Sequence, residues 1–171
     1  MKTLFLALRS VIYMTGFLLL FGGIALQVRV FDQRFGVCLP VAVELPGAIL
    51  MVLGAILVLA CAGVFILRGR GTPAVFDAPR VFVAIGPYRY VRNPMYIGGL
   101  LLILGFGLSE RSISILFLTL PFFLLFHLFV CCYEEPTLTR KFGSSYQKYL
   151  RTVRRWIPRW GGGDDVPNRG G

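Results

Sequence analysis

The sequence predicts an all-α integral membrane protein with about four transmembrane helices, the last two a tight hairpin, followed by a cytoplasmic amphipathic C-terminal helix. Three observations predict it. Apolar residues make up 56% of the 171, above the roughly 45–50% usual for a soluble domain even with glycine counted in. The excess is gathered into long charge-free stretches, as a hydrocarbon core of about 30 Å requires. The basic residues, 18 against 8 acidic ones, crowd around those stretches unevenly.

The stretches are Val11–Val28, Leu45–Leu67, Asn93–Ser109 and Ser112–Tyr133. At a rise of about 1.5 Å per residue the second and fourth can cross, the first is near the minimum and the third is short. A re-entrant or half-buried helix is the alternative for that third run. The Ser109-Glu110-Arg111-Ser112 link makes the third and fourth runs antiparallel neighbours. Lys2 and Arg9 precede the first run as in a signal peptide. That run exceeds the usual apolar core of about 7–15 residues, however, and "IALQVRVFDQ" offers no small-x-small cleavage site, so it is kept as a span. Gly16, Gly22, Gly23, Gly54 and Gly63 in the first two runs read as small residues that let helices approach. Residues 1–67 are thus a scaffold pair, 68–160 the functional region with its hairpin at 93–133, and 161–171 a disordered tail.

Basic residues set the orientation. Lys2 and Arg9, then Arg68, Arg70, Arg80, Arg89 and Arg92, then eight more after Tyr133 fall on one side of a four-span chain. Only Arg29, Arg34 and Arg111 fall on the other. Excess positive charge marks the cytoplasmic side, so both termini are expected there, in an inner or plasma membrane. The net charge of +10 then reflects topology and contact with anionic headgroups, and needs no nucleic acid.

The four cysteines form no disulfide or metal framework. Cys61, Cys131 and Cys132 lie in or at the end of spans, where thiols fill space, although acylation of the adjacent pair is an alternative. His127 is the single histidine and lacks companions at ligand spacing, so no metal or haem is expected. An intramembrane imidazole is either functional or an interhelical hydrogen-bonding group.

Beyond the fourth run, Leu138, Phe142, Tyr146, Tyr149 and Val153 recur at helical spacing, with cations on the remaining faces. Pro136 suits a first helical turn. This helix is expected to lie on the cytoplasmic face as an interfacial cover, with Trp156, Ile157 and Trp160 as an anchor. The apolar piece Val81–Ile85 is expected to touch the membrane surface.

Two constellations carry chemistry. In "GPYRYVRNPMYIGG", Pro94 suits the first position of the third helix and Asn93 its N-cap, the side chain accepting a backbone N–H. The second is Glu134-Glu135. A carboxylate at a helix C-terminus is disfavoured by ~0.3–1 kcal/mol, so topology alone would not put two there. Neighbouring helical side chains point ~100° apart, which predicts a different partner for each acid. The hairpin brings Arg92 and Asn93 level with both acids. A cationic and an anionic lobe facing each other at the membrane border suit a zwitterionic cofactor.

Gly86, Tyr88, Arg92, Asn93, Pro94, Tyr96, Glu134, Glu135, Leu138, Phe142, Gly143, Tyr146, Tyr149, Ile157 and Pro158 occur in an order that resembles the integral-membrane methyltransferases related to isoprenylcysteine carboxyl methyltransferase and the phospholipid N-methyltransferases. The likeness covers roughly residues 80–160. Asn93 stands where many members have histidine, which removes acid–base chemistry from that side chain. The resemblance implies S-adenosylmethionine as methyl donor and in-line transfer to a lipophilic acceptor entering from the bilayer. It implies Arg92, Asn93 and Glu135 as catalytic residues. Tyr88, Arg92, Asn93, Pro94, Tyr96, Glu134, Glu135, Leu138 and Tyr146 would hold the cofactor, and Arg151, Arg154 or Arg155 an anionic acceptor. A prenylated cysteine carboxylate, a phospholipid amine, an isoprenoid and a small lipophilic thiol all remain open as acceptors.

Two other classes compete. A membrane sterol or enone reductase shares a hairpin and a C-terminal aromatic run but uses a nicotinamide dinucleotide. Such enzymes are larger, and the acid pair has no role in them. A non-catalytic scaffold holding anionic lipid explains the charge asymmetry and leaves Glu134-Glu135 without a cause.

Overall fold

The computed structural model describes residues 2–36, 39–69 and 84–158. Its long helices are α1 (Lys2–Val28), α2 (Glu44–Val64), α3 (Pro94–Ser109), α4 (Ile113–Phe129) and α5 (Glu135–Thr152), with no strand among the described residues. The protein is an all-α membrane protein. Among the described residues, three segments are long and apolar enough to cross a bilayer: Val11–Arg34, Val41–Leu67 and Ile113–Thr152. The third expected span is the short one, its 16 residues covering ~24 Å. The first begins earlier than its charge-free run, because the leucines around Arg9 already favour a helix from Lys2.

The α3–α4 hairpin closes as expected. Ser112 N–H bonds to Gly107 O at 2.8 Å and Arg111 N–H to Leu108 O at 3.0 Å, the paired bonds of a Schellman-type helix end. Arg111 takes the left-handed position, φ 54°, which costs a non-glycine residue free energy. Its side chain offsets the cost by donating from Nε to Leu39 O at 2.7 Å. Ser112 Oγ then caps α4, accepting from Ile115 N–H at 3.2 Å.

Packing corrects the expected scaffold. Gly16, Gly22, Gly23 and Gly63 have no packing neighbour among the described residues within 4 Å of where a Cβ would stand. The close approach lies between α2 and α3, where glycines recur seven apart on each helix and so share one face. A Cβ on Gly47 would meet Gly105 O at 2.7 Å, and one on Gly54 would meet Gly98 O at 2.7 Å. Backbone therefore lies on backbone, α2 against α3. α1 instead leans on α4 through aromatic rings, with Phe21 lying 4.6 Å from Phe122 and Phe17 lying 6.1 Å from Phe126. Its ring-rich face cannot enter a glycine groove.

α4 and α5 form one continuous rod. A π-helical turn, Val130–Glu134, joins them, and Glu135 N–H reaches back to Val130 O. The widened turn absorbs Pro136, which has no N–H to give and would otherwise crowd the preceding carbonyl. The acid pair therefore sits inside a rod and not at a helix end, so the dipole penalty inferred from sequence does not apply. α5 bends at Gly143 (φ 54°, ψ −129°). Its apolar face matches the expected one but covers protein: Tyr146, Tyr149 and Val153 bury Ala84, with Leu138 and Phe142 packed alongside. Ala84 is thus buried against protein and Ile85 partly buried beside Tyr88 and Cys61, while residues 81–83, Trp160 and the 161–171 tail lie outside the described residues.

Candidate active site

The threshold before α3 is built by a short turn. Gly86, at φ 60°, lets the chain reverse into a short 3-10 turn, Gly86–Arg89, and Pro94, fully buried, opens α3. Asn93 does not cap α3 with its side chain. Its amide donates to the carbonyl of Arg155 at 3.2 Å, and Arg92 N–H donates to the carbonyl of Arg154 at 2.9 Å. The strap after α5 is therefore laid along the threshold by two bonds to its backbone. Tyr149 adds a third, its hydroxyl donating to Tyr88 O at 2.6 Å.

Both acids turn inward to this corner, each with its own partners. Glu135 lies between two guanidiniums: Arg92 Nη1 at 2.9 Å, and Arg155 through Nε at 3.0 Å and Nη2 at 2.8 Å. The forked Arg155 contact is the strong bidentate kind. Glu135 raises the proton affinity of Arg155 further above its ordinary range by accepting these bonds. Side chains of Arg92 and Glu135 are each only 13% exposed, so their attraction is weakly screened. Glu134 accepts from the Tyr96 hydroxyl at 3.0 Å, and no cation pairs with it among the described residues. Arg92 Nε is buried and without a hydrogen-bond partner there.

Arg92, Asn93, Tyr96, Glu134, Glu135 and Arg155 thus share one corner, with Tyr146 buried beside it and Pro94 beneath. Tyr88 faces elsewhere, packing with Cys61 on α2. Burial pushes its phenol well above the ordinary range, with the Cys61 thiol adding to the shift. Leu138 belongs to the apolar underside of α5. Arg151 and Arg154 are exposed, and Arg155 is engaged by Glu135. Sequence reasoning placed Trp156 in an interface anchor and missed its bond to His127, to which it donates from Nε1 to Nδ1 at 3.0 Å. The signal was present in the lone intramembrane histidine, but its partner is 29 residues away.

The model of one family, phospholipid methyltransferase, matches residues 43–145. The chain belongs to the phospholipid methyltransferase family. The match runs from the end of the turn before α2 to Ser145 in α5, taking in Arg92, Asn93, Tyr96 and both acids. Arg155 and Trp156 lie beyond it and are tied to the site by geometry alone. Neither a curated protein nor a solved structure gives a match. This phospholipid methyltransferase family member is accordingly a membrane methyltransferase.

Proposed function

We propose that the protein transfers a methyl group from S-adenosylmethionine to the amine head of a lipid held in the bilayer, at the corner formed by Arg92, Asn93, Glu134 and Glu135. One observation carries the reading. Beside the Arg92–Glu135–Arg155 cluster, two cations around one carboxylate, stand two unmet needs among the described residues: Arg92 Nε without a hydrogen-bond partner and a Glu134 carboxylate that no cation pairs with. A donor with a carboxylate and an ammonium would meet both.

In this reading Arg92 takes the donor's carboxylate through Nε. Glu134 takes its ammonium or ribose hydroxyls, and Tyr96 orients Glu134. Glu135 keeps Arg92 and Arg155 from repelling each other and fixes Arg92 in place. Asn93 ties the strap across the corner and excludes water. When bound, S-adenosylmethionine supplies a methyl group on a sulfonium, for which positioning and dryness are the main demands. An amine fits the acceptor better than a carboxylate, since in this reading Arg92 is filled by Glu135 and the donor's carboxylate, Arg155 is engaged by Glu135, and Arg151 and Arg154 are exposed. The charge distribution supports both termini on the cytoplasmic side of an inner or plasma membrane.

The test is transfer of label. Purified protein with methyl-labelled S-adenosylmethionine and phosphatidylethanolamine vesicles should label the phospholipid. Label in an added prenylcysteine and none in the phospholipid would refute the amine, and label in neither would refute the reaction.

A further inference from the structure

Trp156 joins the lipid-facing side of α4 to the charged corner. Its ring lies 5.1 Å from Phe123 and 6.5 Å from Tyr96. Phe123 is 37% exposed, beside Leu124, Leu125 and Leu128, which are more than half exposed. Tyr96, at the other end, donates to Glu134. A row of side chains thus runs from the bilayer inward: Phe123, Trp156, Tyr96, Glu134.

His127 holds the middle of that row. It is the one histidine of the chain, and an imidazole within an apolar span is costly unless it is hydrogen-bonded. With Nδ1 accepting from the indole, the ring hydrogen of the neutral form sits on Nε2, 3.6 Å from Cys131 Sγ. Both nitrogens are then used. Neither offers a free lone pair for proton transfer, so the action left to His127 is to fix Trp156.

We infer that His127 is a positioning residue. Through Trp156 it sets the aromatic wall along which a lipophilic acceptor passes from the bilayer to Glu134. The inference rests on the methyl-transfer reading above. The other side of the corner is secured independently, since Arg92, Asn93, Glu135 and Arg155 are tied to one another and to the strap's backbone. Losing the His127–Trp156 bond frees the indole and leaves that cluster standing. The acceptor's Michaelis constant should therefore respond and donor affinity should not.

The experiment uses the full chain reconstituted in vesicles. The sequence has two tryptophans, so a Trp160→Phe background leaves Trp156 as the sole indole. Quenching by brominated phosphatidylcholine then reports its exposure to lipid. His127→Phe should steepen quenching. His127→Asn, whose side-chain oxygen can stand where Nδ1 stands, should restore the parent value. In transfer assays with phosphatidylethanolamine vesicles, His127→Phe should raise the acceptor KM about three- to tenfold, the worth of one hydrogen bond. Donor affinity and kcat should hold, and the Asn variant should recover. Unchanged quenching, an unchanged KM, or a parallel fall in donor affinity each overturns the proposal. A parent protein that labels no lipid brings down the methyl-transfer reading and this role with it. A parent that labels lipid, with a His127→Phe variant of normal KM, overturns the positioning role alone.

Discussion

The side-chain amide of Asn93 donates to the main-chain carbonyl of Arg155, coupling the start of α3 to the strap that follows α5. Asn93 is 6% exposed, so water cannot readily replace the bond. Asn93→Ala leaves that carbonyl short of a donor and should cost about 1–3 kcal/mol. The expected result is a lower thermal midpoint in detergent at unchanged helix content, with reduced methyl transfer. An unchanged midpoint would mean the strap is held by its other bonds.

The two acids should separate by assay. Glu135→Gln removes the charge that keeps two guanidiniums together at a corner where the acid is 13% exposed. Part of the loss falls on stability, about 1.5–3 kcal/mol for hydrogen bonds to charged groups, and Arg92 and Arg155 then repel. Glu134→Gln should spare stability, because the amide oxygen still accepts from Tyr96, and should weaken binding of S-adenosylmethionine. Differential scanning and calorimetry on the two variants check this. Equal melting losses, or full donor affinity in Glu134→Gln, would contradict the division of roles.

Glycines on α2 and α3 should be intolerant where those on α1 are not. Gly105→Ala places a Cβ 2.6 Å from Gly47 O and 2.7 Å from Met51 N, both backbone atoms that cannot step aside. The helices must separate, at about 1–3 kcal/mol by analogy with overpacked cores. Gly22→Ala meets nothing within 4 Å and gains the better helix propensity of alanine. A thermal midpoint that falls for the first and holds or rises for the second is the expected pattern.

What the sequence disclosed follows from the range of the forces involved. The α3–α4 hairpin was legible because a four-residue polar link between two apolar runs leaves the chain no other course. The buried face Leu138–Val153 was legible from its spacing, yet its cover was not, since periodicity names a face without naming what lies over it. The pairing of α1 with α4 was hidden: glycine suggested contact, but only coordinates show that Gly47 and Gly105 meet while Gly16 and Gly22 do not. The acid pair and Arg92 could be placed level by counting residues along a hairpin. Arg155 could not, because its approach to Glu135 depends on a bend at Gly143 that reads in sequence as one more residue of a helix.

That bend supplies the last prediction. Gly143 holds φ 54° and ψ −129°, a combination open in practice only to glycine. Among the described residues nothing beyond its own helix backbone lies within 4 Å of where its Cβ would be, so the penalty for Gly143→Ala is conformational and not crowding by packed neighbours. Strain of this kind costs about 1–3 kcal/mol. The chain can escape it by straightening α5, and doing so swings Tyr146, Tyr149 and the strap off Ala84 and the Arg92 corner. Gly143→Ala should therefore keep its helix content, lose methyl transfer, and expose the strap to proteolysis. A variant with parental activity and protease resistance would show that the bend is incidental to holding Arg155 on Glu135.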